Sequence, residues 1–277
     1  METICRLPLP FGEDQVWIDV IQPWLAQRGI DGEAMNIAGY VVSEMLNNVR
    51  DHSASADVVV EGMVGAQAVF VHVIDHGVGV FRRLADGLRL TGPREAVIEI
   101  AKGKRTTDPS QHTGQGIFFA SRVCEWFCIE ANGYAVTFEE GQEPIHLEFV
   151  NDAGRVGTTV KCRIAQQPRR SLRQVFDEYC PQPDIEFTRT RVAVRLMALA
   201  DGSLISRSQA RRLMAGLERF TEVELDFAGV AELGQGFADE AFRVWRNTHP
   251  GTDLRVLNAA EGVERMLRHV GFRRTTQ

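Results

Sequence analysis

The run DVVVEGMVGAQAVFVHVID, residues 57–75, constrains this chain most. Valine and isoleucine crowd both sides of Gly65, which reads as two strands joined in a hairpin-like pattern. A short N-terminal strand precedes it, and Glu13–Gln27 and Glu33–His52 read as helices. Residues 77–113 read as a long non-strand segment, and Ile117–Phe127 reads as a helix. Strands around 129–138, 145–150 and 157–165 follow. Helices beside a mostly antiparallel sheet predict an α+β two-layer sandwich.

The grammar changes after residue 165. QQPRRSLRQVFDEYCPQPD, with proline at both ends and room for a short helix, reads as a connector. Beyond it Phe187–Leu199 is β-like and Ser206–Phe220 helical. EVELDF is a strand, Phe237–Asn247 a helix, DLRVLN a strand and Glu261–Val270 a helix. Strands alternating with helices at this spacing predict a smaller α/β domain. The expected organisation is a first domain over 1–165, a linker over 166–186 and a second domain over 187–277.

Composition narrows the classes. The formal net charge is −6 over 277 residues, which argues against a general nucleic-acid binder while leaving room for a local basic patch. No apolar run is long enough to cross a membrane, and METICRLPLPFGEDQ lacks the apolar centre of an export signal. The five cysteines form no CxxC pair and no zinc spacing. Reduced, mostly buried thiols and a cytoplasmic location are expected.

The first half carries three stretches with chemical content. SEMLNNVRDH, residues 43–52, lies in the second helix. At about 100° per residue, Glu44, Asn48 and His52 are successive i, i+4 neighbours in one band, flanked by Asn47 and Asp51. Val42, Met45, Leu46 and Val49 point the other way. A solvated face accounts for the band. Adjacent asparagines fit that account poorly, because their side chains compete for backbone hydrogen bonds. Next, Asp75 ends a strand and enters His76-Gly77-Val78-Gly79-Val80. The glycines mark an ordinary turn, or else Asp75 accepts from a ligand amine while Gly77 and Gly79 let the backbone approach a flat base. Finally, Gly114-Gln115-Gly116-Ile117 opens a helix, either as a flexible entry or as a phosphate cradle at a positive helix end. It is not a P-loop, since Gly103-Lys104 is followed by Arg105, and neither Gly-x-Gly pair has the third small residue of a dinucleotide fingerprint. Gly157-Thr158-Thr159-Val160, taken alone, is a β-prone stretch after a glycine.

In this order, SEMLNNVRDH, DHGVGV, GQGI and GTTV resemble the Bergerat-fold GHKL nucleotide-binding superfamily of gyrase, Hsp90, MutL and histidine kinases. The anti-sigma-factor serine kinases are the members most like it. The resemblance spans about residues 10–165 and implies a Bergerat-type sandwich that binds ATP or ADP with Mg²⁺. It implies that Asn48 holds the metal, with His52 in the same box. Asp75 would bind the adenine amino group beside Gly77 and Gly79, with Thr158 near the base. Gly114 and Gly116 would contact phosphates, with Gln115 and Ile117 in their box. Glu44 would be the general base, one helical turn from the metal ligand. Residues 81–113 would form a mobile lid, and Lys102 is the cation expected to seek phosphate, ahead of Lys104 and Arg105.

VELDFAGVAELGQGFADEAFRVW, residues 223–245, resembles the STAS-like family. Anti-sigma antagonists of that kind carry a phosphorylatable serine in the matching loop. Here the loop is Gly234-Gln235-Gly236, so no phosphoacceptor is expected there. Arg207, Arg211, Arg212 and Arg219 make either a solvated helix face or a docking patch. None of the seven histidines sits in an H-[ED]-x-[RK]-[TS]-P context, which argues against histidine autophosphorylation. The expected function is an ATP-dependent regulator with slow hydrolysis that signals through its STAS-like domain to a protein partner. A serine/threonine protein kinase and a non-catalytic interaction module are the alternatives, and a homodimer is left open.

Overall fold

The structure is a computed structural model that describes residues 1–103, 115–140, 142–150, 156–180, 188–197 and 202–272, side chains 142–145 excepted. The chain forms two compact units, one of residues 1–96 with 104–176, the other of 97–103 with 177–277.

The first unit is an α+β two-layer sandwich. Strands β1 (Glu2–Pro8), β2 (Asp57–Val64), β3 (Ala68–Asp75), β4 (Trp126–Ala131), β5 (Tyr134–Glu139), β6 (Gln142–Phe149) and β7 (Thr158–Ala165) make one sheet in the order β1-β2-β3-β7-β4-β5-β6. Every neighbouring pair is antiparallel. Along β3, Val69, Val71, Val73 and Asp75 are buried while Phe70, His72 and Ile74 are partly exposed. Strand alternation thus gives the sheet one apolar face and one mixed face. The mixed face carries an ion pair between Lys161 and Glu130 and the facing His72 and Glu61.

The first unit's helices cover the apolar face. The segment 13–26 is α1 (Glu13–Val16), a π-helical stretch (Trp17–Ile21) and α2 (Gln22–Ala26). Helix α3 (Gly32–His52) buries Ile37, Val41, Val42, Met45, Leu46 and Val49 against β3 and β7. Each such side chain contributes about 1.5–3 kcal/mol on burial, so this stripe fixes the helix's rotation. The segment read as non-strand holds α4 (Val80–Leu88) and α5 (Pro93–Lys102), and residues 104–113 of the expected lid lie outside the described residues. Helix α6 (Gly116–Val123) buries Phe118 and Phe119 and ends where Cys124 turns extended. The stretch 129–138, expected as one strand region, is the β4–β5 hairpin. Its two-residue turn, Asn132–Gly133, has φ of 51° and 82°, the pattern of a type I′ turn. The expected linker also starts inside this unit. At the head of α7 (Leu172–Tyr179), the Leu172 N–H donates to Glu33 Oε1 at 2.6 Å, and Phe176 packs on Phe119 with ring centroids 4.4 Å apart.

The second unit has a parallel sheet of β8 (Arg189–Ala193), β9 (Glu222–Asp226) and β10 (Asp253–Leu257) in the order β10-β9-β8. Helix α8 (Arg207–Met214) starts with a Ser206–Gln209 capping box and stops at Ala215–Gly216, where Gly216 takes φ +81°. A composite helix follows β9: α9 (Gln235–Asp239), a π-helical stretch (Glu240–Trp245) and α10 (Arg246–Thr248). Helix α11 (Glu261–His269) closes the unit. All five cysteines carry free thiols, and Cys124, Cys128 and Cys162 are buried. Among the described residues, no helix is long and apolar enough to cross a membrane.

Lys102 is where the structure departs furthest from expectation. Its side chain is 1% exposed, and residues 96–103 are all buried. Its ammonium donates to Glu99 Oε1 at 2.6 Å, to the Arg212 carbonyl at 3.0 Å and to the Ala215 carbonyl at 3.1 Å. Three donors meet three acceptors, and two of those are carbonyls at the end of α8. Lys102 is therefore a structural cation of the second unit and not a phosphate-seeking surface charge. Lys102→Ala is expected to cost about 3–5 kcal/mol by stranding the Glu99 carboxylate. A lowered urea midpoint of the full chain is the readout, and an unchanged midpoint would contradict this role.

Candidate functional site

Helix α3 turns the polar band of residues 44–52 inward. Glu44, Asn48 and His52 are all partly buried, so the band is not a wet face. Among the described residues, Asn48 Nδ2 and Asn47 Oδ1 are buried without a hydrogen-bond partner. An orphaned buried polar group costs about 1–3 kcal/mol, a cost that a ligand removes.

Glu44 meets the start of α6. A Cβ built on Gly116 would lie 2.0 Å from Glu44 Oε2 and 2.9 Å from its Cδ. The Glu44 carboxylate thus fills the space that Gly116 leaves open. Gln115, the N-cap residue, makes no side-chain cap, and Ile117 lies in the same first turn. An acidic side chain thus faces the positive end of a helix. Gly114 lies outside the described residues.

The second cluster forms at the end of β3. Asp75 is 4% exposed and accepts from the Gly77 N–H at 2.8 Å, an Asx turn. Burial pushes its carboxyl above the usual range, and bonds from Gly77 and from the backbone and hydroxyl of Thr158 pull it back in part. Thr158 Oγ1 also accepts from the Val80 N–H at 3.0 Å. Gly157, at φ +94°, passes so near that its Cβ would be 2.0 Å from the Asp75 carbonyl oxygen. Gly77 is tighter still, 1.9 Å from the Ser53 carbonyl by the same measure. The Val78 N–H donates to Ser53 O at 2.9 Å and the His76 N–H to Ser55 Oγ at 3.1 Å. A cavity of ≈ 420 Å³ adjoins Asp75 and His76, with Arg6, Glu61 and Val156 in its wall. A larger hollow of ≈ 660 Å³ at Trp17, Glu33 and Phe176 holds none of the expected site residues.

The expected residues thus gather in two groups joined by α3. Glu44 lies with Gln115, Gly116 and Ile117, while Asp75, Gly77, Gly79 and Thr158 lie at the turn that follows His52. Asn48 sits between, one turn from Glu44 and one from His52. Lys102 joins neither group. Sequence reasoning overlooked Ser53, Ser55 and Asn132, which hold the 75–79 loop in place. The Asn-Gly dipeptide at 132–133 was the available signal. Among the described residues, no three His, Cys, Asp or Glu side chains converge as a metal site. A divalent cation beside Asn48 would take its remaining ligands from phosphate oxygens and water, as Mg²⁺ does. Those residues fit such a group.

Comparisons with known proteins add the following. Residues 209–264 match the model of a STAS-like domain of unknown function (DUF4325). The second unit is STAS-like. Two solved structures are similar to parts of the chain. One is the 43K ATPase domain of Thermus thermophilus gyrase B in complex with an aminocoumarin, at 18% identity and TM-score 0.27, covering 55% of this chain and 40% of that one. The other is the topoisomerase IV ATP-binding domain of Francisella tularensis with a small-molecule inhibitor, at 14% identity and TM-score 0.30, covering 58% and 42%. The chain spans about two fifths of the length of those chains. No curated protein matches it.

The glycines and Asp75 yield two predictions. Gly77→Ala pushes a methyl into backbone and is expected to cost more than about 2 kcal/mol, whereas Gly116→Ala displaces only the end of the Glu44 side chain and leaves the fold intact. Equal melting temperatures for these two variants would refute that contrast. Asp75 binds a proton more tightly folded than unfolded. Its contribution is full below the ordinary value of 3.8 and is lost as pH rises through the folded value. Asp75→Asn removes that loss. Its melting temperature relative to the parent is expected to rise between acidic and neutral pH, and a difference that stays flat or falls would contradict it.

Proposed function

We propose that the first unit binds Mg-ATP in the manner of a GHKL ATPase and hydrolyses it slowly. The STAS-like unit then passes the nucleotide state to a protein partner in the cytoplasm. One observation carries the reading: a single helix aims Glu44 at the first turn of α6 and ends against the Asp75–Gly79 loop, with the orphaned amide of Asn48 between. A nucleotide has a base at one end and phosphates at the other, and α3 connects a candidate subsite for each.

Asp75 accepts the amino group of adenine, and its bonds from Gly77 and Thr158 fix the direction in which its remaining lone pairs point. The positive end of α6 faces the phosphates. Asn48 would hold the cation through its side-chain oxygen. The bound Mg²⁺ supplies charge neutralisation at the phosphate oxygens. Glu44 takes the proton from the attacking water and is the general base. A carboxylate so near the phosphate subsite repels the nucleotide unless the cation intervenes, so binding should depend on magnesium.

The test is titration of the full chain with ATP, with and without Mg²⁺. Asn48→Ala is expected to remove the magnesium-dependent part of the affinity. Glu44→Gln is expected to keep binding and lose about 10²–10⁴-fold in turnover. Absence of ATP and ADP binding by the parent would overturn the reading. Labelled γ-phosphate arriving on a protein hydroxyl, and not as inorganic phosphate, would replace hydrolysis by kinase activity.

A further inference from the structure

We propose that Asn132 positions the loop after β3 and so sets affinity for the adenine end of the nucleotide. The proposal rests on the ATP reading above and adds a residue that reading does not contain. Asn132 lies in the β4–β5 turn at φ 51°. A type I′ turn uses asparagine for its backbone, because that residue tolerates the left-handed region, and leaves its side chain unused. Here the side chain spans to a different loop. Its Nδ2 donates to the Val78 carbonyl at 3.0 Å, and its Oδ1 accepts from the Arg82 N–H at 3.0 Å. The first bond fixes the loop. The second satisfies an N–H in the first turn of α4, which has no cap from its own N-cap residue Gly79.

The fit is mutual. Gly79 has φ +82°, and a Cβ there would lie 2.4 Å from Asn132 Oδ1. The amide fills the space that glycine leaves open. Val78 is then held on both sides of its backbone, its N–H by Ser53 O at 2.9 Å and its carbonyl by Asn132. Its isopropyl group remains 41% exposed three residues from Asp75. A large apolar side chain held out by a pinned backbone, beside a buried carboxylate, suits the flat face and the amino edge of a purine. Loosening the carbonyl side leaves Val78 anchored only to Ser53, so the loop samples geometries that do not bind the base.

The experiment titrates the full chain with Mg-ATP and, separately, with adenosine. Asn132→Ala is expected to weaken both by the same factor, about threefold to tenfold, the worth of one such hydrogen bond. Asn132→Asp keeps an oxygen for the Arg82 N–H and loses the donor to Val78. It is expected to melt near the parent temperature and still show the loss, which separates positioning from stability. A loss confined to ATP would overturn the proposal, as would both folded variants binding like the parent. If the parent binds neither ligand, the ATP reading falls first and this proposal with it.

Discussion

No side chain fits between Gly77 and the carbonyl of Ser53, and much of the first unit follows from that contact. It ties the end of the longest helix to the end of a central strand. The apolar stripe of α3 sets the helix's rotation on the sheet, while the Gly77 contact and the Val78 N–H bond to Ser53 set its end. With rotation and end fixed together, the polar band from Glu44 to His52 has one place to go, under α6 and beside the loop after β3. A helix set only by its apolar stripe has its rotation fixed but not its position along its own axis. One pinned at its C-terminal end has both fixed, and small displacements matter where a carboxylate must meet a helix start.

Two acidic side chains stand at the candidate site. Glu44 faces the positive end of α6, and burial raises the Asp75 carboxyl above its usual range. Partial charges at a helix end are worth about 0.3–1 kcal/mol, too little to offset a polyanion brought close to a carboxylate. Under the proposed ATP binding, a cation would have to enter with the phosphates.

What the sequence made legible was periodic. The valine-rich run of β2 and β3 and the 3.6-residue stripe of α3 each come from an element meeting a core, and the burial of β3 and α3 follows their periods. Less legible were elements buried on all sides or set by one turn. AVIEIAK at 96–102 carries Glu99 and Lys102 on one face, and its lysine beside Lys104 and Arg105 looks like surface charge. Only the carbonyls of Arg212 and Ala215, more than a hundred positions away, show that Lys102 is internal. The β4–β5 hairpin was legible from Asn-Gly but was merged into one strand region, because apolar residues continue on both sides of the turn.

Lys102 and Asn132 mislead in opposite directions for one reason. A lysine in a glycine-flanked, basic stretch suggests a ligand contact, and an asparagine before glycine suggests only a turn. Residue type limits what a side chain can bond, but not which partners the fold brings to it. Lys102 has three donors and finds its acceptors within its own unit, so none need remain for phosphate. Asn132 spends a donor on the loop whose shape the candidate site depends on and its acceptor on the first turn of the helix that follows. A role assigned from local sequence is therefore strongest where the local pattern also dictates burial. Glu44, Asn48 and His52 meet that condition, because the stripe that buries α3 also fixes where their band must lie.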